Sequence, residues 1–244
     1  MNPGTAALTR GLAILEVLAD DAGGGLGVVR LAELLGDDKS QVSRTLQTLA
    51  EHGYVERDPA SLAYRLGWRP FAMAARAGDA RLLAAAPPVM RALVRELEES
   101  VHLSVRQGGS VLTLLAESPP HALYAPGRVG ELTPVATTSA GRVLVSDLEA
   151  EELDSVGLAM HRSTIEEVAA HGYAIVREEF EAGLVAAAAP IRGPAGTVVA
   201  ALNVSGPLFR LDGRLEDAAS LLVRAADELS AAIGGAVRAE ASSP

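Results

Sequence analysis

Residues 28–53, VVRLAELLGDDKSQVSRTLQTLAEHG, hold the pattern that decides the fold. Val28, Leu31, Leu34 and Leu35 recur at helical spacing, so residues 28–35 are expected to form a short helix with those four side chains inward. Gly36, Asp37 and Asp38 interrupt it. The next apolar stripe, Val42, Leu46 and Leu49, predicts a helix over residues 39–52 that Gly53 ends. Asp38 is placed to cap that helix, with Gln41 three residues on as a capping box requires. The opposite face carries Lys39, Ser40, Gln41, Ser43, Arg44 and Gln47. A short helix, a tight turn and a second helix describe a helix-turn-helix, whose second helix lies in the DNA major groove. The exposed residue types suit DNA reading, since Arg donates two hydrogen bonds to guanine, Gln pairs with adenine, and Ser or Lys holds phosphate. Lys39 is the only lysine beside twenty arginines. At a helix N-terminus its charge opposes the dipole, so helix stability does not explain its placement, whereas a phosphate bound there does.

Upstream, RGLAILEVLA at residues 10–19 places Leu12, Leu15 and Leu18 at helical spacing with Leu8, and Ile14 and Val17 widen the stripe. An amphipathic helix capped by Thr9 is expected, followed by a loop at residues 20–27, DDAGGGLG. Downstream of Gly53 the period changes to two. Residues 54–57 (YVER) and 64–67 (YRLG) are predicted strands joined by a turn at residues 58–61 (DPAS), which makes a wing. Arg57 and Arg65 are its candidate contacts to the phosphate backbone. Residues 1–68 are therefore expected to form a winged helix-turn-helix domain.

Residues 68–86, WRPFAMAARAGDARLLAAA, are Ala-rich with Pro70 near the start, as suits a helix, and Pro87-Pro88 is expected to break it. This sets a linker at residues 69–86. A new helix over residues 89–99 would turn Val89, Leu93, Val94 and Leu97 inward. Gly108-Gly109 between residues 101–106 and 110–116 predicts a hairpin, a further strand is expected around Leu123, and residues 183–191 and 197–205 predict a second hairpin. One long amphipathic helix over residues 211–237 closes the chain. Hairpins bracketed by helices, with no βαβ rhythm, predict an α+β domain over residues 87–244, an antiparallel sheet with flanking helices. Within it, residues 137–141 (TTSAG) precede a helical run at residues 142–148. Small residues there leave backbone N–H groups uncovered for a carboxylate, which makes this stretch the candidate pocket.

Composition narrows the function. The chain has 244 residues, enough for two domains, and 49% are apolar, enough for a core. Alanine supplies 45 residues while aromatics are only 3%. The lack of cysteine excludes disulfides, thiolate metal sites and a Cys nucleophile. No apolar run approaches the ~20 residues of a membrane span, and MNPGTAALTR lacks the order of a secretory signal, so a cytoplasmic protein without membrane association is expected. The net charge of −10 is concentrated after residue 70, where 22 acidic residues face 14 basic ones, against 9 and 7 before it. The five histidines show no HExxH spacing, so no metal site is expected. Packing is their default role and the favoured one for His102 as well, although its alternation with Ser104 and Arg106 on VHLSVR also allows it to face a ligand. Glu178-Glu179 reads as a solvated strand end rather than a catalytic pair. With no GxSxG and no phosphate loop, neither an enzyme nor a cofactor is expected.

Six stretches in order, RGLAILEVLA, LAELLGDDKSQVSRTLQTLAEHGYVERD, YRLG, VHLSV, HGYAIVREE and ALNVSGP, make the chain resemble the IclR-type bacterial transcriptional regulators from about Leu8 to Ile233. The resemblance implies a winged helix domain, a linker helix and a GAF/profilin-like effector domain, assembled as homodimers or dimers of dimers (homotetramers) on palindromic operators. It also implies an effector site at the positions of Ala122, Ala125, Ser139, Ala140, Val176, Ala186, Asn203 and Ser205. Val176 and Ala186 replace polar or sulfur-bearing side chains of relatives that bind small oxoacids, which points to a roomier, less polar pocket for an aromatic or otherwise apolar metabolite bearing a carboxylate or hydroxyl group. The connection between Glu152 and Ser163 is shorter than the family pattern. The expected function is a ligand-responsive transcriptional regulator, a repressor binding double-stranded DNA under control of a small organic acid. An activator, and a sensor acting through protein contacts, remain as alternatives.

Overall fold

The computed structural model describes residues 3–21, 24–75, 80–127 and 129–235. It separates into two compact units, Met1–Ala80 and Arg81–Pro244.

In the first unit α1 (Pro3–Asp20), α2 (Val28–Leu35) and α3 (Lys39–Glu51) surround a core of Ile14, Leu18, Leu31, Val42 and Leu46, closed by Val55 and Tyr64. Gly36 ends α2 at φ 62°, a left-handed turn that glycine enters without a Cβ penalty. The wing is β1 (Val55–Arg57) paired antiparallel with β2 (Tyr64–Leu66), extended by a bridge from Leu26 to Tyr64. Two details differ from the sequence expectation. Leu34 is 48% exposed and Ala32 is buried in its place. At 100° per residue, Val28, Leu31, Ala32 and Leu35 centre the buried stripe, and Leu34 falls about 110° to one side. Likewise α1 begins at Pro3 rather than after Thr9, whose hydroxyl donates back to the Thr5 carbonyl (2.9 Å), while Leu8 and Leu12 are 65% and 54% exposed. The three-helix core takes Ile14 and Leu18 fully and Leu15 and Val17 in part, which leaves Leu8 and Leu12 outside it.

After β2 comes α4 (Arg69–Ala74), and α5 (Ala80–Leu97) opens the second unit. The expected break at Pro87-Pro88 does not occur, because α5 runs through both prolines. Its buried residues Leu82, Ala86, Met90, Leu93 and Leu97 make one continuous stripe against the sheet. At about 1.5–3 kcal/mol per large buried side chain, this offsets the ~3 kcal/mol cost of an interior proline.

The sheet has six strands in the order β5-β4-β3-β8-β7-β6, every neighbouring pair antiparallel. These are β3 (Ser100–Gln107), β4 (Ser110–Glu117), β5 (Leu132–Pro134), β6 (Ala174–Arg177), β7 (Leu184–Arg192) and β8 (Val198–Pro207). The strand expected around Leu123 is absent. Residues 118–127 form a loop in which Pro119, Pro120 and Pro126 remove ladder donors, and the edge is supplied by β5 instead.

On one face α5 and α10 (Leu215–Ala232) cover Val101, Leu103, Val185, Ala187, Ala200, Leu202 and Val204. On the other, α6 (Ser139–Leu144) and α8 (Arg162–His171) pack over Val111, Ala188 and Ala201. Both faces of β7 are covered, and its alanines, Ala186–Ala189 in the sequence, let helices approach from either side. Helix α7 (Ala150–Ser155) and a 3-10 turn, Ala159–His161, fill the short connection before α8. Short α9 (Leu208–Leu211) links β8 to α10, which ends at Ala232; residues 236 and 237 of the expected closing helix lie outside the described residues.

Candidate nucleic-acid interface and effector cavity

The start of α3 is fixed by Asp38, whose carboxylate accepts from the Ser40 N–H (2.9 Å), the Gln41 N–H (3.2 Å) and the Ser40 hydroxyl. These bonds, the hydroxyl foremost, hold the Asp38 carboxyl below its ordinary value. Only half of the expected capping box forms, because the Asp38 N–H donates to the side chain of Asp37 (2.8 Å). Asp37 in turn is paired with Arg10 of α1, which lowers its pKa as well and locks the turn to α1.

With Val42 and Leu46 buried beneath them, Lys39, Ser40, Gln41, Ser43, Arg44 and Gln47 are all exposed. Ser40 is committed to the cap, Gln47 donates to Glu51 (3.2 Å), and Arg44 donates from Nε to the Ser40 carbonyl (3.3 Å). Lys39 and Ser43 have no side-chain partner among the described residues. On the wing, Arg57 lies 5.6 Å over the Tyr64 ring and exposed Arg65 pairs with Glu56 (3.2 Å). The wing tip is tied by Asp58, which accepts from the Ser61 N–H (2.7 Å), the Ser61 hydroxyl (2.9 Å) and the Ala60 N–H (3.0 Å), and its pKa is lowered accordingly.

In the second unit a cavity of about 650 Å³ opens on the face of the sheet that carries α6. Strand register builds its floor: His102 on β3 sits opposite Asn203 on β8, and Ser205 opposite Ala186 on β7. Period two turns all four to the side away from α5 and α10. Ala125, Ser139, Ala140, Val176, Ala186, Asn203 and Ser205 all line this cavity. Ala122 does not; it is exposed on the loop, and its neighbours Leu123–Gly127 supply that wall.

The first turn of α6 is less open than expected. Thr138 caps it, accepting from the Gly141 N–H (3.2 Å) and donating to the Pro134 carbonyl (2.7 Å). Gly141 presses on Val135, where a Cβ would come within 2.2 Å of the carbonyl oxygen. Arg142, almost buried, ties this helix to the end of β6 by donating to Glu179 and to the Ala136 carbonyl (3.2 Å). Glu178 and Glu179 are exposed just past the end of β6, as expected, with Glu179 also an ion-pair partner and Glu178 accepting from the Gly183 N–H (2.8 Å). On the far side buried Glu99 pairs with Arg210, which also donates to the Leu123 carbonyl (3.0 Å).

The cavity's polar lining combines the side chains of His102, Ser139, Asn203 and Ser205 with the start of α6 at residues 137–140. Burial pushes the pKa of His102 down to about 4. Nδ1 lies 3.3 Å from Asn203 Nδ2 and 3.5 Å from Ser205 Oγ. Strand alternation places Ser104 on the same wall, a signal the sequence did carry. Gly127, Phe180 and Phe209 also line the cavity, yet nothing in one sequence marks these loop and rim residues. Among the described residues no three His, Asp or Glu side chains gather as metal ligands, and no helix is long and apolar enough to cross a membrane.

Comparison with known proteins accounts for both units. Residues 7–59 match the IclR helix-turn-helix domain, and residues 75–231 match the bacterial transcriptional regulator IclR C-terminal domain. The regulator BhcR of Paracoccus denitrificans is 32% identical over 247 residues, 93% of this chain and 87% of that protein. The repressor AllR of Klebsiella pneumoniae is 28% identical over 253 residues, 95% and 91% of the two chains. An IclR homologue of Microbacterium hydrocarbonoxydans, solved in complex with 4-hydroxybenzoate, shares the fold with a TM-score of 0.77 at 24% identity, covering 93% of this chain and 98% of its own. BhcR and AllR are transcriptional regulators of the helix-turn-helix type. A helix-turn-helix unit of the DNA-binding kind followed by an effector-domain sheet places the chain in the IclR family of bacterial transcriptional regulators.

Proposed function

We propose that this protein is a cytoplasmic repressor that binds a palindromic operator as a homodimer or dimer of dimers and is released by an aromatic or otherwise apolar organic acid. The observation that carries the reading is the face of α3, where Lys39, Ser40, Gln41, Ser43, Arg44 and Gln47 stand exposed over a buried Val42 and Leu46. Arg44, Gln41 and Gln47 have the donors and acceptors for base edges, and Lys39, Ser43, Arg57 and Arg65 suit phosphates. One such helix covers too little DNA for useful specificity, so two half-sites about one helical turn apart are required.

The effector is assigned to the cavity lined by Ala125, Ser139, Ala140, Val176, Ala186, Asn203 and Ser205. Its volume suits a ring-sized ligand. Val176 and Ala186 leave that wall apolar, while the rim carries Phe180 and Phe209. The repressor role follows the relative AllR, which is itself a repressor. Footprinting on the upstream region of the protein's own operon, with and without 4-hydroxybenzoate or other aromatic acids, tests the reading. Two protected half-sites that are lost on adding an acid are expected. DNA affinity that does not change with salt would refute it, because phosphate contacts release counterions.

A further inference from the structure

The cavity wall contains one polar atom whose bonding is incomplete. His102 is 7% exposed, and its Nε2 is fully buried with no hydrogen-bond partner. The other nitrogen, Nδ1, faces the Asn203 amide and the Ser205 hydroxyl. With the Asn203 amide donating to Nδ1, the ring proton sits on Nε2, an N–H donor sealed in the wall with nothing to receive it. An orphaned buried donor is costly, and a ligand acceptor brought to it removes that cost.

The cover over Nε2 is thin and specific. Gly127 lies against the ring so closely that a Cβ would stand 2.5 Å from Nε2 and 2.4 Å from Cδ2. Gly127 belongs to the loop after β4, where Pro119, Pro120 and Pro126 lack N–H groups. Among the described residues, the hydrogen bond that holds residues 118–127 is the one from Arg210 to the Leu123 carbonyl. A loop bonded so sparsely opens more readily than the strands beneath it.

We propose that His102 is an effector-recognising residue: with the loop at Tyr124–Gly127 lifted, its Nε2–H donates to a carboxylate oxygen of the bound organic acid, while Asn203 and Ser205 hold the ring from behind. This rests on the assignment of the cavity as the effector site. Around the ring, β4 presents Ala116, β8 presents Asn203 and Ser205, and the loop presents Gly127, none of them charged. The titratable groups elsewhere in the lining are Tyr124, Glu131 and Glu181, and no Lys or Arg is among the described lining residues. Among the described lining residues, His102 is the one group that can gain a positive charge to compensate a carboxylate. The imidazole is neutral in the free protein, since burial holds its pKa at about 4. A carboxylate beside Nε2 raises that value, so binding takes a proton from solvent onto Nδ1, where the Ser205 hydroxyl accepts from it and the Asn203 amide turns its oxygen to the ring.

The test is calorimetric titration of the full-length protein at about pH 6 with 4-hydroxybenzoate and with its neutral amide, 4-hydroxybenzamide, each in two buffers of different ionisation enthalpy. Net proton uptake with the acid is expected, with affinity at least about tenfold above that of the amide and falling as pH rises from about 5 to 8. His102→Asn, which keeps a polar group toward Asn203, and His102→Leu should both lose the uptake and weaken acid binding about tenfold or more. A movement of the wild-type His102 ring ¹⁵N shifts toward imidazolium on adding the acid reads the same event without any substitution. No uptake, equal affinity for acid and amide, unaltered binding in both variants, or no saturable binding of the acid would each overturn the proposal. Operator titrations on the same samples separate the two failures. Intact DNA binding with no proton uptake rejects the role of His102 alone, and wild-type protein that does not bind DNA rejects the regulatory reading itself.

Discussion

Arg44 offers the sharpest test of the DNA-reading face. Its guanidinium makes one bond among the described residues, from Nε to the Ser40 carbonyl at 3.3 Å, so both terminal nitrogens are free to donate side by side to O6 and N7 of a guanine. Arg44→Ala removes that fork and leaves α3 intact, since the position is exposed and alanine is the strongest helix former. One bidentate contact is worth about 1–3 kcal/mol of base discrimination. A dimer on two half-sites makes two, so operator affinity should fall by about 2–6 kcal/mol, roughly 30-fold to 10⁴-fold, with little change on random DNA. Lys39→Gln should behave differently. It removes one phosphate charge per subunit and so lowers the salt slope by about 0.9 per copy, near 2 for a dimer, across all sequences alike. Fluorescence anisotropy with operator and scrambled duplexes between about 50 and 200 mM salt measures both effects. Were Arg44→Ala to bind operator with wild-type affinity, or to lose operator and scrambled DNA equally, the assignment of base reading to Arg44 would fail.

Two further outcomes follow from the second unit. Gly141→Ala places a Cβ 2.2 Å from the Val135 carbonyl oxygen and 2.5 Å from its Cα, so α6 must shift. Such overpacking costs about 1–3 kcal/mol, and each kcal/mol lowers the melting midpoint of a unit this size by roughly 2–4 °C; a melt within about 1 °C of wild type would mean the contact relaxes freely. For His102, the folded-state pKa of about 4 lies below the ordinary 6.5 of the unfolded chain. Between those values the unfolded chain holds a proton that the folded chain lacks. The penalty is thus absent above about pH 6.5 and grows as pH falls, by about 1.4 kcal/mol per unit, to roughly 3 kcal/mol near pH 4. Urea unfolding at about pH 7 and 5 should show this slope in wild type and its reduction in His102→Asn; identical slopes would mean that His102 titrates normally.

Much of the DNA-reading unit was legible in advance because its signals are local. The capping Asp38, the turn glycine Gly36 and the stripe Val42, Leu46 and Leu49 act within a few residues of one another, and α2 and α3 fall within a residue of their expected bounds. The errors there are rotational: Leu8, Leu12 and Leu34 have the right period but stand on the flank of the face that three short helices can bury. Residue patterns pointed to part of the cavity, at residues 137–141 and at His102, and the family resemblance supplied its other positions. Asn203 and His102 are more than a hundred positions apart, and only the register of β3 with β8 brings them together.

By itself, then, the amino-acid order determined helix and strand periods, the helix-turn-helix, the polar outer face of α3 and the absence of thiol chemistry, since each depends on spacing or residue type within one segment. Tertiary structure decided whether Pro87 and Pro88 would end a helix, which leucines would stay in solvent, that residues 118–127 would be a loop over a cavity, and that His102 Nε2 would be left without a partner. Those outcomes are set by contact energies summed between distant segments, and a buried stripe running the length of α5 can outweigh a local preference that a short window of sequence reports faithfully.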